Sequence, residues 1–200
     1  MSVGYTRAMR RRLNHPKKLA VYMIVVGGLV MVSQLQPLGR PIRRIVIQNQ
    51  PGLYKVVFDI DGDTLVVDMN GKPEKIRLIG VDTPETHDPR KPVQCYGLKA
   101  AALTKSKTEK HVIRLVADPL STNRDRYSRL LRYVYLQDGT FWNEQLIRLG
   151  YGFAYTGFPF SRSEQFINDQ TYAQKQHLGL WHDCTPTRNP YGGYTSNQAN

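Results

Sequence analysis

Three short runs of residues carry side chains that could do chemistry together. They are Asp59-x-Asp61-Gly62-Asp63-Thr64, Arg77 followed by Asp82-Thr83-Pro84-Glu85, and Asp125-Arg126-Tyr127-Ser128-Arg129. Hydrolysis of a phosphodiester sets demands that these types can meet. A hard cation must offset charge on the phosphoryl oxygens, and it takes oxygen ligands. Asp63 and Asp82 have that chemistry. A base must activate water, and Glu85, three residues past Asp82, can sit beside the same cation. The transition state gathers charge on its equatorial oxygens, which two guanidiniums, Arg77 and Arg129, can clamp bidentately. Taken singly, each has a plainer reading. Asp-Gly-Asp is common in turns, Asp82 to Glu85 has the make-up of a helix N-terminus, and an isolated arginine is ordinarily solvated or ion-paired. Only the combination is chemically complete.

The runs need elements to position them. Tyr54 to Phe58 is β-branched and apolar and reads as a strand, as does Thr64 to Met69. Asn70-Gly71 is a strong hairpin signal into a third strand, Glu74 to Val81. Further strands are expected at His111 to Ala117 and Leu130 to Leu136. Helices are expected at Tyr96 to Lys110, at Phe141 to Leu149 closed by Gly150, and at Ser161 to His177. Ser161-x-x-Glu164 has the form of a capping box. Five short strands with helices between and after them predict a small closed β-barrel of α+β class with three helices. Each acidic or basic run borders a strand, where a barrel rim would gather it.

The chain has 200 residues, enough for one well-filled domain. Its net charge of +12 is misleading, because residues 51–184 hold 18 Lys and Arg against all 16 Asp and Glu. The basic character lies at the head: residues 1–18 carry six Arg and Lys and no acid. Overall charge is therefore weak evidence for nucleic-acid binding. Residues 19–39 hold no charge at all, and as a helix these 21 residues would span about 30 Å. The expected organisation is a basic head 1–18, a hydrophobic anchor or signal segment 19–38, a linker 39–53, a folded domain 54–184 and a disordered tail 185–200. A retained anchor with the basic head inside follows from the positive-inside rule. A cleaved signal and a buried soluble helix are the alternatives. The first two place the domain outside the cytoplasm, either membrane-anchored or secreted. The two cysteines, Cys95 and Cys184, suggest a disulfide in such a compartment, against two unrelated thiols. His177, His182 and Cys184 match no standard zinc spacing.

The spacing resembles the staphylococcal-nuclease-like (thermonuclease) family over about residues 54–184. The resemblance rests on DGDT at 61–64, RLIGVDTPET at 77–86, YG at 96–97, DRYSR at 125–129, NEQLIRLG at 143–150 and LGLW at 178–181. It implies an OB-fold barrel and one calcium ion, Ca2+, on Asp63, Asp82 and the Thr83 carbonyl. It implies Glu85 as the catalytic carboxylate and Arg77 and Arg129 as phosphate-binding arginines. Arg126 and Tyr127 match the pair that holds a terminal phosphate, and Tyr155 falls near a base-packing tyrosine. Ser128 departs from a frequent glycine, which implies an unusual backbone there. The cysteines have no counterpart in the best-known members. In the resembling fold the last helix ends near the loop before the first, so a Cys95–Cys184 bond is expected, with Cα atoms about 4.4–6.8 Å apart.

The resulting expectation is a monomeric calcium-dependent nuclease acting on DNA and RNA, cleaving the 5′ P–O bond, with no protein partner. The alternative is a catalytically silent nucleic-acid-binding OB-fold module. Such modules tend to lose the acidic residues, and this chain keeps them.

Overall fold

The computed structural model describes residues 52–89, 91–190 and 193–199. The expected head 1–18, apolar segment 19–38 and nearly all of the linker 39–53 lie outside these residues. Among the described residues no helix is long and apolar enough to cross a membrane.

In chain order the elements are β1 (Leu53–Asp59), β2 (Thr64–Asp68), β3 (Pro73–Leu78), β4 (Val81–Asp82), α1 (Gly97–Thr108), β5 (Val112–Val116) and β6 (Leu130–Tyr135). Then follow α2 (Trp142–Arg148), β7 (Phe153–Ala154), α3 (Ser163–Lys175), α4 (Leu180–Asp183), β8 (Thr187–Asn189) and β9 (Gly193–Thr195). Five strands close a barrel in the order β1-β2-β3-β6-β5. All neighbours run antiparallel except β3 with β6. The barrel and its α+β class are as expected. A fourth helix, the short α4, adds to the three read from the sequence.

Local chemistry explains these elements. Asn70 and Gly71 both take positive φ, 57° and 80°, which a tight hairpin between twisted strands requires. Val56, Leu65, Val67, Ile76, Leu78, Ile113, Leu115, Leu130 and Val134 fill the barrel, each at most 2% exposed. Trp142, Leu146 and Ile147 from α2 and Phe166 from α3 seal it. Each such side chain contributes about 1.5–3 kcal/mol by leaving water. The Ser161 capping box does not form: Arg162 is the N-cap residue of α3, and no side chain caps it.

The strand expected over Glu74 to Val81 breaks at Gly80, and the break aims the second acidic run. Gly80 has φ +71°, and a Cβ there would lie 2.6 Å from the Phe160 ring and 2.8 Å from Phe166. Glycine alone lets the chain turn under this aromatic wall. Val81 and Asp82 then pair with Ala154 and Phe153 as a separate two-stranded sheet. Asn143, fully buried, holds the turn from behind. Its Oδ1 accepts from Val134 N–H at 2.8 Å, and its Nδ2 donates to Ile79 O at 2.9 Å. Asn143→Ala would strand a buried donor and acceptor, at about 1–3 kcal/mol each. We expect it to cost about 2–4 kcal/mol in urea unfolding; a loss below 1 kcal/mol would show that water replaces the amide.

The tail is not the disordered segment that its composition suggests. β8 and β9 form an antiparallel hairpin, with Arg188 opposite Tyr194. Tyr194 stacks on Phe153 at 5.7 Å and meets Trp181 edge-on at 5.1 Å. One aromatic ring docked on two others gives the Thr-, Asn- and Gly-rich sequence enough buried area to order.

Candidate active site

The Asp61–Thr64 turn joins β1 to β2, and the Asp82–Glu85 segment crosses beside it. Their approach is close: a Cβ on Gly62 would lie 2.8 Å from Thr83 Cγ2. Thr104 of α1 anchors the turn by donating to Gly62 O at 2.8 Å. Asp63 is nearly enclosed. Its Oδ2 accepts from Thr83 N–H at 2.8 Å and Thr83 Oγ1 at 3.1 Å, and its Oδ1 accepts from Thr64 Oγ1 at 3.0 Å.

Arg77 forks across the two acidic runs. Nη1 pairs with Asp63 Oδ2 at 2.9 Å and donates to Val81 O at 2.6 Å, while Nη2 donates to Asp82 Oδ1 at 2.9 Å. Burial works against charge on this guanidinium, and Asp63, Asp82 and Asp61 more than offset it, raising its pKa. The carboxylates are overcrowded even so. Burial, then the charge of Asp63, pushes Asp61 up to about 8. Loss of water raises Asp82 to about 6, with Asp63 and Glu85 adding repulsion against the pull of Arg77.

Arg129 arrives from the third run. Ser128, where the resemblance led to an unusual backbone, takes φ +64°. That turn folds Asp125 back onto its own loop: Oδ1 accepts from Tyr127 N–H at 2.9 Å and Arg129 N–H at 3.0 Å. Oδ2 accepts from Arg129 Nε at 2.7 Å. Burial would raise the Asp125 carboxyl, but these bonds and the Arg129 charge hold it below the usual range. Arg129 Nη1 donates to Thr64 Oγ1 at 3.3 Å. Thr64 thus bridges Arg129 to Asp63, a role that its place in the motif did not reveal.

Glu85 has no direct bond to this cluster; its charge reaches Asp82. Its Oε1 accepts from the backbone N–H groups of Thr86, His87 and Asp88 at 2.9, 2.7 and 3.1 Å. The carboxylate is held by its own loop and not by the barrel.

A cleft of about 890 Å³ opens over Arg77, Asp82, Asp125, Arg126, Tyr127, Arg129 and Tyr155. Tyr127 is 63% exposed, with Arg126 and Arg129 at 4.8 and 5.4 Å from its ring centre. Tyr155 is fixed by its N–H to Gly80 O at 2.9 Å and meets Phe158 edge-on at 5.4 Å. Of the aromatic run 151–160, Phe153 and Phe160 are core, while Tyr155 and Phe158 face the cleft. Lys91, Leu120, Thr122, Pro159 and Asn189 also line it and were not singled out from the sequence. Asn189 comes from β8, and nothing in the tail's composition points to the cleft.

Cys95 and Cys184 form a disulfide with Cα atoms 6.0 Å apart, as expected. Cys184 is thereby removed from any zinc set with His177 and His182.

The donors fit a hard divalent cation. Asp63, Asp82 and the Thr83 carbonyl offer only oxygen. Burial first and acidic neighbours after it push Asp61 and Asp82 up to about 8 and 6, which a bound cation would oppose. Among the described residues no group of three or more His, Cys, Asp or Glu is arranged to hold a metal by itself. Carbonyl, water and substrate oxygens would have to complete the shell.

Comparison with known proteins agrees with this geometry. Residues 75–183 match the family described as staphylococcal nuclease homologue. A thermonuclease of Staphylococcus hyicus is 37% identical over 169 residues, covering 82% of this chain and 98% of that protein. A thermonuclease of Staphylococcus intermedius is 35% identical over 162 residues, 80% of this chain and 95% of its own. The endonuclease YncB of Bacillus subtilis is 38% identical over 138 residues, 67% of this chain and 64% of its own.

Proposed function

The chain belongs to the staphylococcal nuclease homologue family, and from that premise we propose that this nuclease hydrolyses phosphodiester bonds of DNA and RNA with calcium. The observation that carries the reading is Arg77 spanning Asp63 and Asp82 while Thr64 ties Arg129 to the same Asp63. Arg77, Arg129 and Asp82 line one cleft, and the buried Asp63 is ion-paired to Arg77, which suits a phosphate and a cation together. A module that only binds nucleic acid would have no use for this acidic cluster.

Asp63, Asp82 and the Thr83 carbonyl would hold calcium, which when bound offsets charge on phosphoryl oxygens. Glu85 takes a proton from the attacking water as its oxygen bonds to phosphorus. The P–O5′ bond breaks, the 5′ oxygen leaves with its electron pair and takes a proton from water, and the 3′ product keeps the phosphate. Arg77 and Arg129 stabilise the charge that grows on the equatorial oxygens. Arg126 and Tyr127 hold a neighbouring phosphate, and Tyr155 packs against a base. Single-stranded substrate enters more easily, because a rim cleft of this size does not engulf a stacked duplex. The domain acts outside the cytoplasm, anchored or released through residues 19–38.

Purified protein is expected to cleave single-stranded DNA with calcium and to stop with a chelator. The acids add a pH signature. Folded-state pKa values raised to about 8 and 6 mean that the metal-free fold binds more protons than the unfolded chain above about pH 4. Metal-free stability therefore falls as pH rises from about 4 to about 8, with both acids contributing up to about 6 and Asp61 alone above it. Calcium must displace those protons, so its affinity rises across the same window. Calorimetric titration in buffers of different ionisation heats reads the proton release. Affinity flat from pH 5.5 to 8.5 would rule out this acid cluster as the site.

A further inference from the structure

We propose that Gln94 is a positioning residue for Glu85, and that the β-bridge made by residues 197–199 locks Gln94 in place. Among the described residues, the Glu85 carboxylate is held by the N–H groups of residues 86–88. The position of the carboxylate is therefore the position of that stretch of backbone. Gln94 secures the backbone by a reciprocal pair. Its Oε1 accepts from Glu85 N–H at 2.9 Å, and its own N–H donates to Glu85 O at 3.0 Å.

The tail secures Gln94 from the other side. Gln94 lies opposite Gln198 in an antiparallel bridge. Cys95 N–H donates to Asn197 O at 2.7 Å, and Ala199 N–H donates to Val93 O at 2.9 Å. Asn197 also turns back on the chain, where its Oδ1 accepts from Thr185 N–H at 2.8 Å, next to the Cys95–Cys184 bond. The bridge follows β9, whose Tyr194 packs against Trp181 and, in the core, Phe153. A continuous path thus runs from the core through the tail and Gln94 to Glu85. Bringing a catalytic group into place is worth large rate factors, and a displacement of about 1 Å can cost about 10²-fold.

The proposal rests on Glu85 acting in hydrolysis, so its test has one readout that needs no activity. Two full-length variants, Gln94→Ala and Gln94→Glu, are compared with wild type and with a chain ending at Ser196. Amide hydrogen exchange over residues 85–95 is expected to speed up by at least about 10-fold in Gln94→Ala and in the shortened chain. Both should lose about 10-fold or more in kcat on single-stranded DNA, with KM within about 2-fold. Gln94→Glu keeps an acceptor for Glu85 N–H and should recover most of kcat. Unchanged exchange, a fall in kcat and rise in KM together, or no recovery in Gln94→Glu would each overturn the proposal. An inactive wild type would instead sink the nuclease reading, and the exchange rates would still decide whether the tail holds this loop.

Discussion

Glu85→Gln is expected to slow hydrolysis at saturating calcium by at least about 10²-fold, and Arg129→Ala by a similar factor. In the proposed mechanism both act on the transition state, so substrate binding should change much less. The geometry makes the first a clean test. Glutamine retains an oxygen to accept the three N–H groups of residues 86–88, so the loop survives while the base is lost. Arg129→Ala removes a guanidinium, but Asp125 Oδ1 still accepts the backbone N–H groups of residues 127 and 129. Circular dichroism and urea midpoints should stay close to wild type in both. Steady-state and single-turnover rates on a defined single-stranded oligonucleotide give the comparison. A Glu85→Gln enzyme at near wild-type rate would show that another group activates the water.

The second large effect concerns stability. Replacing both cysteines with alanine is expected to destabilise the domain by about 2–4 kcal/mol. The bond spans 89 positions of sequence, and the chain-entropy model puts its upper limit at about 4–5 kcal/mol. It also ties the end of α4 to the loop that carries Gln94. Guanidinium unfolding of the oxidised protein and the double variant measures the difference. Equal midpoints would mean that the docked hairpin alone holds the tail. Two free thiols in protein taken from its native compartment would show that the bond does not form there.

The residues proposed to meet phosphate were legible because their chemistry and their spacing are both local. Asp61 to Thr64, Asp82 to Glu85 and Asp125 to Arg129 each fall within five positions beside a strand, and strands announce themselves by alternation and turn residues. The barrel could be inferred from five such strands, and Asn70-Gly71 set one register by itself. Some features were misread because a local signal met a tertiary constraint. Gly80 read as the interior of a strand, and only the aromatic wall of Phe160 and Phe166 shows why the chain must turn there. Ser161 and Glu164 had the right spacing for a cap, yet the helix begins after Arg162.

By itself the sequence determined which groups are available for catalysis, because identity and short-range order are properties of the chain. The tertiary structure alone decided which of them share a partner. Thr64 bridges Arg129 to Asp63 only because two loops far apart in sequence converge at the barrel rim. Asn189 lines the cleft, and Gln94 meets Gln198, only because a polar tail docks one tyrosine on Phe153 and Trp181. Composition counts the hydrogen-bonding groups of such a tail but does not name their partners. Those depend on the path of about 100 residues between them, which closing the barrel and packing its core dictate.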